Sequence, residues 1–176
     1  MTANLKKLGE EFKMAVTISG ISTLGVELSY GVETTAGTKP AAFTKLPRCN
    51  SIGGIELDTE TIDASALEDY QERTIAGRQS TGGEWSVTFN LTDETIPIIE
   101  TMLSTSATAL ASSKRTWFQV TIPNLTKSFF VVGQPGTKVP MPEFSQNELL
   151  TGDVSITIDE YKGLDTKVTA TDGTTN

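Results

Sequence analysis

Polar and apolar residues alternate strictly from Glu84 to Leu91, with Trp85, Val87, Phe89 and Leu91 apolar and every even position polar. A period of two is that of a β-strand with one buried face. Asp153 to Asp159 repeats it, placing Val154, Ile156 and Ile158 inward and Asp153, Ser155, Thr157 and Asp159 outward. A third stripe sets Val26, Leu28, Tyr30 and Val32 against Glu27, Ser29 and Gly31. Three such strands predict antiparallel sheets with one buried and one wet face. Trp117 to Ile122 and Phe129 to Val132 are apolar on both sides near their middles, which suits strands covered on both faces and joined as a hairpin through Pro123-Asn124-Leu125-Thr126. Between residues 55 and 67 the stripe changes phase, from Ile55 and Leu57 to Ile62, Ala64 and Ala66, and a bulge near Asp58-Thr59-Glu60 accounts for the switch.

One stretch has the spacing of a helix. Thr92-Asp93-Glu94-Thr95 supplies capping residues and acids at the positive end of the dipole, and Ile98, Ile99, Met102 and Leu103 share a face. Pro97 is tolerated because a first-turn residue has no intrahelical donor to lose. Thr34–Ala42, Tyr70–Gly83 and Gly133–Pro142 read as irregular from their turn residues. The two ends, with little to bury, are expected to be mobile in an isolated subunit. The expected organisation is an N-terminal arm over 1–23, a domain over 24–162 and a flexible C-terminal tail over 163–176.

Composition narrows the chemistry. The 176 residues contain 28 Thr and 14 Ser, favourable on half-exposed sheet faces, so strands should dominate. No histidine and a single cysteine, Cys49, remove Ser-His-Asp and Cys-His catalysis, His- or Cys-based zinc sites and any intrachain disulfide. Carboxylates are the remaining catalytic candidates, and a glycosidase needs two held across a cleft. Nothing in the sequence pairs Glu56, Asp58 or Glu84 in that way, and no loop gathers the oxygens of a calcium site. The chain reads as a non-enzyme without cofactor or metal. Trp85 and Trp117 could stack on sugars in a β-sandwich binding module for carbohydrate or another surface ligand, but each lies within an apolar stripe and is expected in the core. A net charge of −8 argues against a phosphate-clamping surface. The chain shows no apolar run of membrane-span length and no secretory signal segment, which points to a cytoplasm-like compartment and no membrane partner.

Charge is segregated along the chain. Seven acids and no base lie between Cys49 and Glu72 (Glu56, Asp58, Glu60, Asp63, Glu68, Asp69, Glu72), whereas Thr101 to Pro142 holds Lys114, Arg115, Lys127 and Lys138 and no acid. Opposite signs on separate faces permit head-to-tail self-association. Side-by-side placement within one fold, with mutual neutralisation, is an equal alternative at this level.

Residues 24–162 resemble the major tail tube protein of long, non-contractile-tailed bacteriophages. The resemblance runs through Leu24-Gly25-Val26-Glu27-Leu28-Ser29-Tyr30-Gly31, Phe43-Thr44-Lys45-Leu46-Pro47 and Ser51-Ile52-Gly53-Gly54-Ile55-Glu56-Leu57. It continues into Glu60-Thr61-Ile62-Asp63-Ala64-Ser65-Ala66-Leu67-Glu68-Asp69 and Arg73-Thr74-Ile75-Ala76-Gly77, and ends at Asn147-Glu148-Leu149-Leu150-Thr151 before the last strand. The order of these pieces carries it. The resemblance implies a mainly β, antiparallel β-sandwich or barrel with one flanking α-helix and extended N- and C-terminal arms. It also implies a virion protein, assembled in the host bacterial cytoplasm, whose homohexameric rings stack into a hollow tube. Its partners would be further copies of itself, a tape-measure protein and tail-tip or terminator proteins, with genomic DNA passing through unbound. On that reading Glu68, Asp69, Tyr70, Arg73 and Arg78 belong to a ring-stacking loop. Glu56, Asp58, Glu60, Asp63 and Glu84 are candidates for an acidic lumen, and Lys114, Arg115, Lys127 and Lys138 for a basic interface.

Overall fold

Alternation becomes a curled sheet. In a computed structural model that describes residues 20–173, the elements in chain order are β1 (Glu27–Val32), β2 (Phe43–Leu46), β3 (Cys49–Ile52), β4 (Asp58–Asp63), β5 (Thr74–Ser80), β6 (Glu84–Asn90), α1 (Thr95–Ala111), β7 (Thr116–Thr121), β8 (Lys127–Pro135), β9 (Thr151–Thr166) and β10 (Ala170–Asp172). Eight strands form one sheet in the order β10-β2-β1-β7-β8-β9-β6-β3, while β4 and β5 form a separate two-stranded sheet. Pairing is antiparallel except where β10 runs parallel to β2. The described residues are therefore mainly β with one flanking helix, as the sequence predicts.

The long β9 bends the sheet. Its pairing with β8 shifts between Phe130 and Val131 and again between Val132 and Gly133, and each bulge increases local twist and turns the strand. Gly163, in the left-handed region at φ 71°, lies at one of these shifts, opposite Phe130. The sheet thus curls into a half-barrel around Leu28, Tyr30, Phe118, Val131, Trp85, Val87, Phe89 and Ile156, and α1 adds Ile99, Met102 and Leu103. Trp85 meets Phe118 edge to face at 5.8 Å between ring centroids and donates its indole N–H to the Gly53 carbonyl at 2.7 Å. Gly133 sits where the sheet bends, and a Cβ there would lie 2.5 Å from the Thr157 carbonyl oxygen and 2.9 Å from Ile156 Cγ2. Gly133→Ala is expected to cost about 1–3 kcal/mol of stability through this overlap, read as a lowered midpoint in urea unfolding with an unchanged m value.

The helix begins as expected. Thr92 N–H donates to Thr95 Oγ1 at 2.8 Å, and Thr95 N–H is shared between Thr92 Oγ1 at 3.2 Å and the Thr92 carbonyl at 3.1 Å, a reciprocal box just ahead of the first turn. Ile99, Met102 and Leu103 are buried, and Ile98 packs at the core's margin.

Several expectations are corrected. Ser29 and Gly31 are buried rather than wet, because the second face of β1, β7 and β8 is also covered. There Phe43, Trp117, Phe130 and Val132 form a smaller core with Val168 and Ala170. Residues 163–173, expected as a loose tail, supply that cover: they complete β9, cross this face and end as β10 on the edge of β2. Gln119 holds the crossing in place. It is buried, and its amide donates to the Val168 carbonyl at 2.8 Å and accepts from Val168 N–H at 3.2 Å. Tyr70–Gly83 contains β5, and β8 extends through Pro135 into the segment read as irregular. The ladder is irregular near Glu60, between Thr59 and Thr61, but the extra residue lies on β5, where Gly77 and Arg78 stand opposite Glu60 alone. Of the expected N-terminal arm, residues 1–19 lie outside the described residues.

Candidate functional site

The β4–β5 hairpin is built unlike the rest of the chain. Every residue of β4 and all of β5 except Gly77 are exposed, and the hairpin forms its own sheet. Ile62 and Ile75 face each other across the ladder yet are 51% and 57% exposed. An isolated two-stranded hairpin is marginal in water, so its order depends on local bonds at the tip. Ala64 N–H donates to the Arg73 carbonyl, Ser65 N–H to Asp63 Oδ1, Ala66 N–H to Asp69 Oδ2 and Arg73 N–H to Ser65 Oγ, all at 2.8–2.9 Å. Donation from Ser65 holds the Asp63 carboxyl below its ordinary value. Arg73 Nε lies 3.6 Å from Asp69 Oδ1. This tied loop presents Leu67 and Tyr70 fully to solvent.

Of the residues assigned to a stacking loop, Glu68, Asp69 and Tyr70 lie at the hairpin tip, Arg73 at its return and Arg78 within β5. Leu57, Ile62, Leu67 and Ile75, all exposed, were not among the expected site residues. The stripes through Leu57 and Ile62 were visible, but alternation reports which residues share a face and not what covers it.

The candidate lumen residues divide. Asp58, Glu60 and Asp63 lie on β4 and Glu56 on the segment leading to it, whereas Glu84 belongs to the main sheet. Glu84 there joins an outward face formed by alternate residues of β6 and β9: Glu84, Ser86 and Thr88 beside Asp153, Ser155, Thr157 and Asp159. Thr88 donates to Asp153 and Ser155 to Glu84 across the two strands. Carboxylates and hydroxyls cover this face, and neither strand contributes a Lys or Arg to it between 84–90 and 151–159.

The four bases do not form a single patch. Lys114 and Arg115 precede β7, and Lys138 follows β8 at the same end of that hairpin. Lys127 opens β8 at the other end. Arg115 is engaged within the chain, its guanidinium 3.2 Å from both Glu33 and Glu160. Among the described residues no ion pair joins the acids of 49–72 to these bases, so the two charged stretches do not neutralise each other by contact.

Glu33 is the buried charge that sequence reasoning missed. Its side chain is 0% exposed and accepts from Gly37 N–H at 2.9 Å, Arg115 N–H at 3.1 Å, Arg115 Nε at 3.2 Å and Trp117 Nε1 at 2.9 Å. Burial pushes its carboxyl up, but these donors and the Arg115 charge outweigh burial and hold it below the usual value. With every donor internal, this is a structural anchor. Burial pushes the Cys49 thiol up to about 12, which leaves it protonated and unreactive at neutral pH. Trp85 and Trp117 are both buried, so neither indole is free to stack on a sugar. Among the described residues no cluster of His, Cys, Asp and Glu could hold a metal ion, and no helix is long and apolar enough to cross a membrane.

No family model matches the chain, and no curated protein matches it in sequence. Among solved structures it is similar to the tail of an empty gene transfer agent particle with C6 symmetry, at 14% identity over 81% of this chain and 96% of that one, with a TM-score of 0.47. It is also similar to a chain of the six-fold symmetrised baseplate of the anti-feeding prophage, at 6% identity over 81% and 92% with a TM-score of 0.41. A chain of the native gene transfer agent virion matches at 15% identity over 72% and 89%, with a TM-score of 0.41.

Proposed function

We propose that this chain is a structural subunit of a phage-type virion tail, assembled from copies of itself into stacked six-membered rings that enclose a channel for genomic DNA. The sequence resemblance supports this reading. The observation that carries it is the division of the exposed surface into an apolar-tipped hairpin and a base-free acidic face. Ile62, Ile75, Leu67 and Tyr70 on the hairpin offer area for a neighbouring copy to bury. Such an offset contact between unlike surfaces is heterologous and generates rings or filaments rather than closed pairs.

The outward face of β6 and β9 has the chemistry for a channel wall. With Glu84, Asp153 and Asp159 exposed among hydroxyls and no cation beside them on these strands, a passing polyanion would release no counterions and form no tight contact. Like charge then keeps DNA and a tape-measure protein moving freely. Lys114, Lys127 and Lys138 are assigned to contacts with acidic surfaces of other copies, and the role of the subunit is mechanical, without catalysis.

The test is to concentrate the purified full-length chain and image it by negative stain. Hollow tubes of uniform diameter are expected. Dispersed globular particles at every concentration, even with tail-tip components added, would overturn the reading.

A further inference from the structure

One end of the half-barrel is open. Between the outer edge of β3, last in the sheet order, and the far end of the β7–β8 hairpin lies a groove of about 610 Å³ whose walls include Ile52, Ile55, Val120, Ile122, Phe129 and Val131. That volume is in the range of a built binding pocket, and among the described residues none that lines it is charged. Ile122 and Phe129 belong to neither core cluster, so they are apolar surface that the fold does not use. Bases flank both walls. Arg48 immediately precedes Cys49 in the lining, and Lys127 lies two positions before Phe129 on β8, hence on the same face of that strand. Both are exposed, and among the described residues neither is in an ion pair. Of the acids near them, Glu27 and Asp165 are paired with Lys45 and Lys39, while Glu56 follows Ile55 in the chain.

The tip of the β4–β5 hairpin is the complement of this groove on the same chain. Leu67 and Tyr70 project fully into solvent from a turn already held by the bonds through Asp63, Ser65 and Asp69, so little further ordering is needed when they dock. Glu68, Asp69 and Glu72 against Arg73 make the tip acidic. Full exposure of Leu67 and Tyr70 means that they do not fill the groove of their own copy, and the length of β4 carries the tip roughly 15–20 Å along the strand. Building on the self-assembly proposed above, we propose that the hairpin tip of one copy seats in the open groove of another. Leu67 and Tyr70 enter between the apolar walls, and Glu68 and Asp69 lie towards Arg48 and Lys127. A buried tyrosine hydroxyl needs a partner. Asn50, the extra residue where β3 shifts register against β6, lines the groove and supplies one. Tip and groove are different parts of one molecule, so each copy can hold two neighbours and the contact propagates.

The test replaces Tyr70 of the full-length chain with the photoreactive residue p-benzoylphenylalanine. This chain and heavy-nitrogen-labelled parent are mixed in equal amounts, concentrated in steps, irradiated and digested, and the cross-linked peptides are assigned by mass spectrometry. Links are expected from position 70 of the unlabelled copy to residues 49–55 or 120–131 of the labelled one. Labelled chains carrying Phe129→Glu or Ile122→Glu, each checked by a thermal melt, should lower that yield roughly tenfold, as loss of an apolar pocket wall does. Lys127→Glu should lower it less and only at low salt, because a rim charge is screened. Links to other segments or within one copy, no link at any concentration, or an undiminished yield with both groove variants would overturn the docking. Imaging the same samples separates the two proposals. Tubes with links elsewhere would overturn the docking and leave self-assembly standing, whereas links to the groove without tubes would support the docking and count against the tube.

Discussion

A full-length chain carrying Ile62→Ser and Ile75→Ser is expected to unfold at the parent temperature but to polymerise only at concentrations roughly 30–100-fold higher. The two side chains are cross-strand neighbours on a hairpin outside the main sheet, about half exposed. Folding of the half-barrel does not draw on them, and substitutions at such surface positions usually change stability by no more than about 0.5 kcal/mol. Burying the exposed half of each against a neighbour would contribute about 1 kcal/mol or slightly more. Together they give about 2–3 kcal/mol per contact, and each 1.4 kcal/mol is tenfold in concentration. Light scattering during concentration, alongside a thermal melt, measures both halves of the expectation. An unchanged polymerisation threshold would remove the hairpin from the interface. Reversing Glu68 and Asp69 to lysine should have a smaller effect that fades with added salt, because exposed charges are screened. Part of that effect would be local, since Asp69 also ties the tip through Ala66 N–H and Arg73.

Glu33→Gln is expected to lower the unfolding free energy by about 3 kcal/mol at pH 7, because it leaves a partly buried guanidinium, a buried indole donor and two backbone N–H donors without the charge they surround. For a domain of this size that corresponds to a drop of roughly 6–12 °C in melting temperature. The loss should depend on pH in a defined direction. The folded carboxyl lies below its ordinary value, so its contribution is complete above the unfolded pKa of about 4.3 and disappears as pH falls through the lower folded value. Parent and variant melting temperatures should therefore converge as pH falls through the folded value, below which the parent also carries a neutral side chain. A gap that keeps its full size throughout the acid range would show that the loss comes from packing rather than from charge.

The local pattern of the chain was sufficient for those elements whose burial it encodes directly. In β6 and the first half of β9, residues two apart share a face. Trp85, Val87 and Phe89, and Val154, Ile156 and Ile158, point into the core as their alternation predicts. The reciprocal threonines and the apolar spacing after them located α1, and the phase change near Glu60 marked the irregular point of the β4–β5 ladder, although the extra residue is on β5. What the pattern could not give was the identity of the covering surface. Ser29 and Gln119 look like solvent-facing residues and are buried because residues 167–170 cross over them. That tail looked disordered because its mostly polar composition hides how few anchors it needs, namely Val168, Ala170 and a backbone clamp from a glutamine 49 positions away. The hairpin misleads in the opposite sense, since the stripe that predicts a core face at Ile62 faces solvent.

The sequence by itself thus determined β1, β6, β7, the first half of β9, the helix and the segregation of acids from bases, all consequences of periodicity and charge within a few neighbouring residues. Tertiary structure alone decided that Glu33 would be enclosed by donors up to 84 positions away, that the basic residues would be dispersed, and that the apolar side chains of β4 and β5 would remain uncovered. Those outcomes depend on which distant segments come into contact, and a linear pattern carries no term for that.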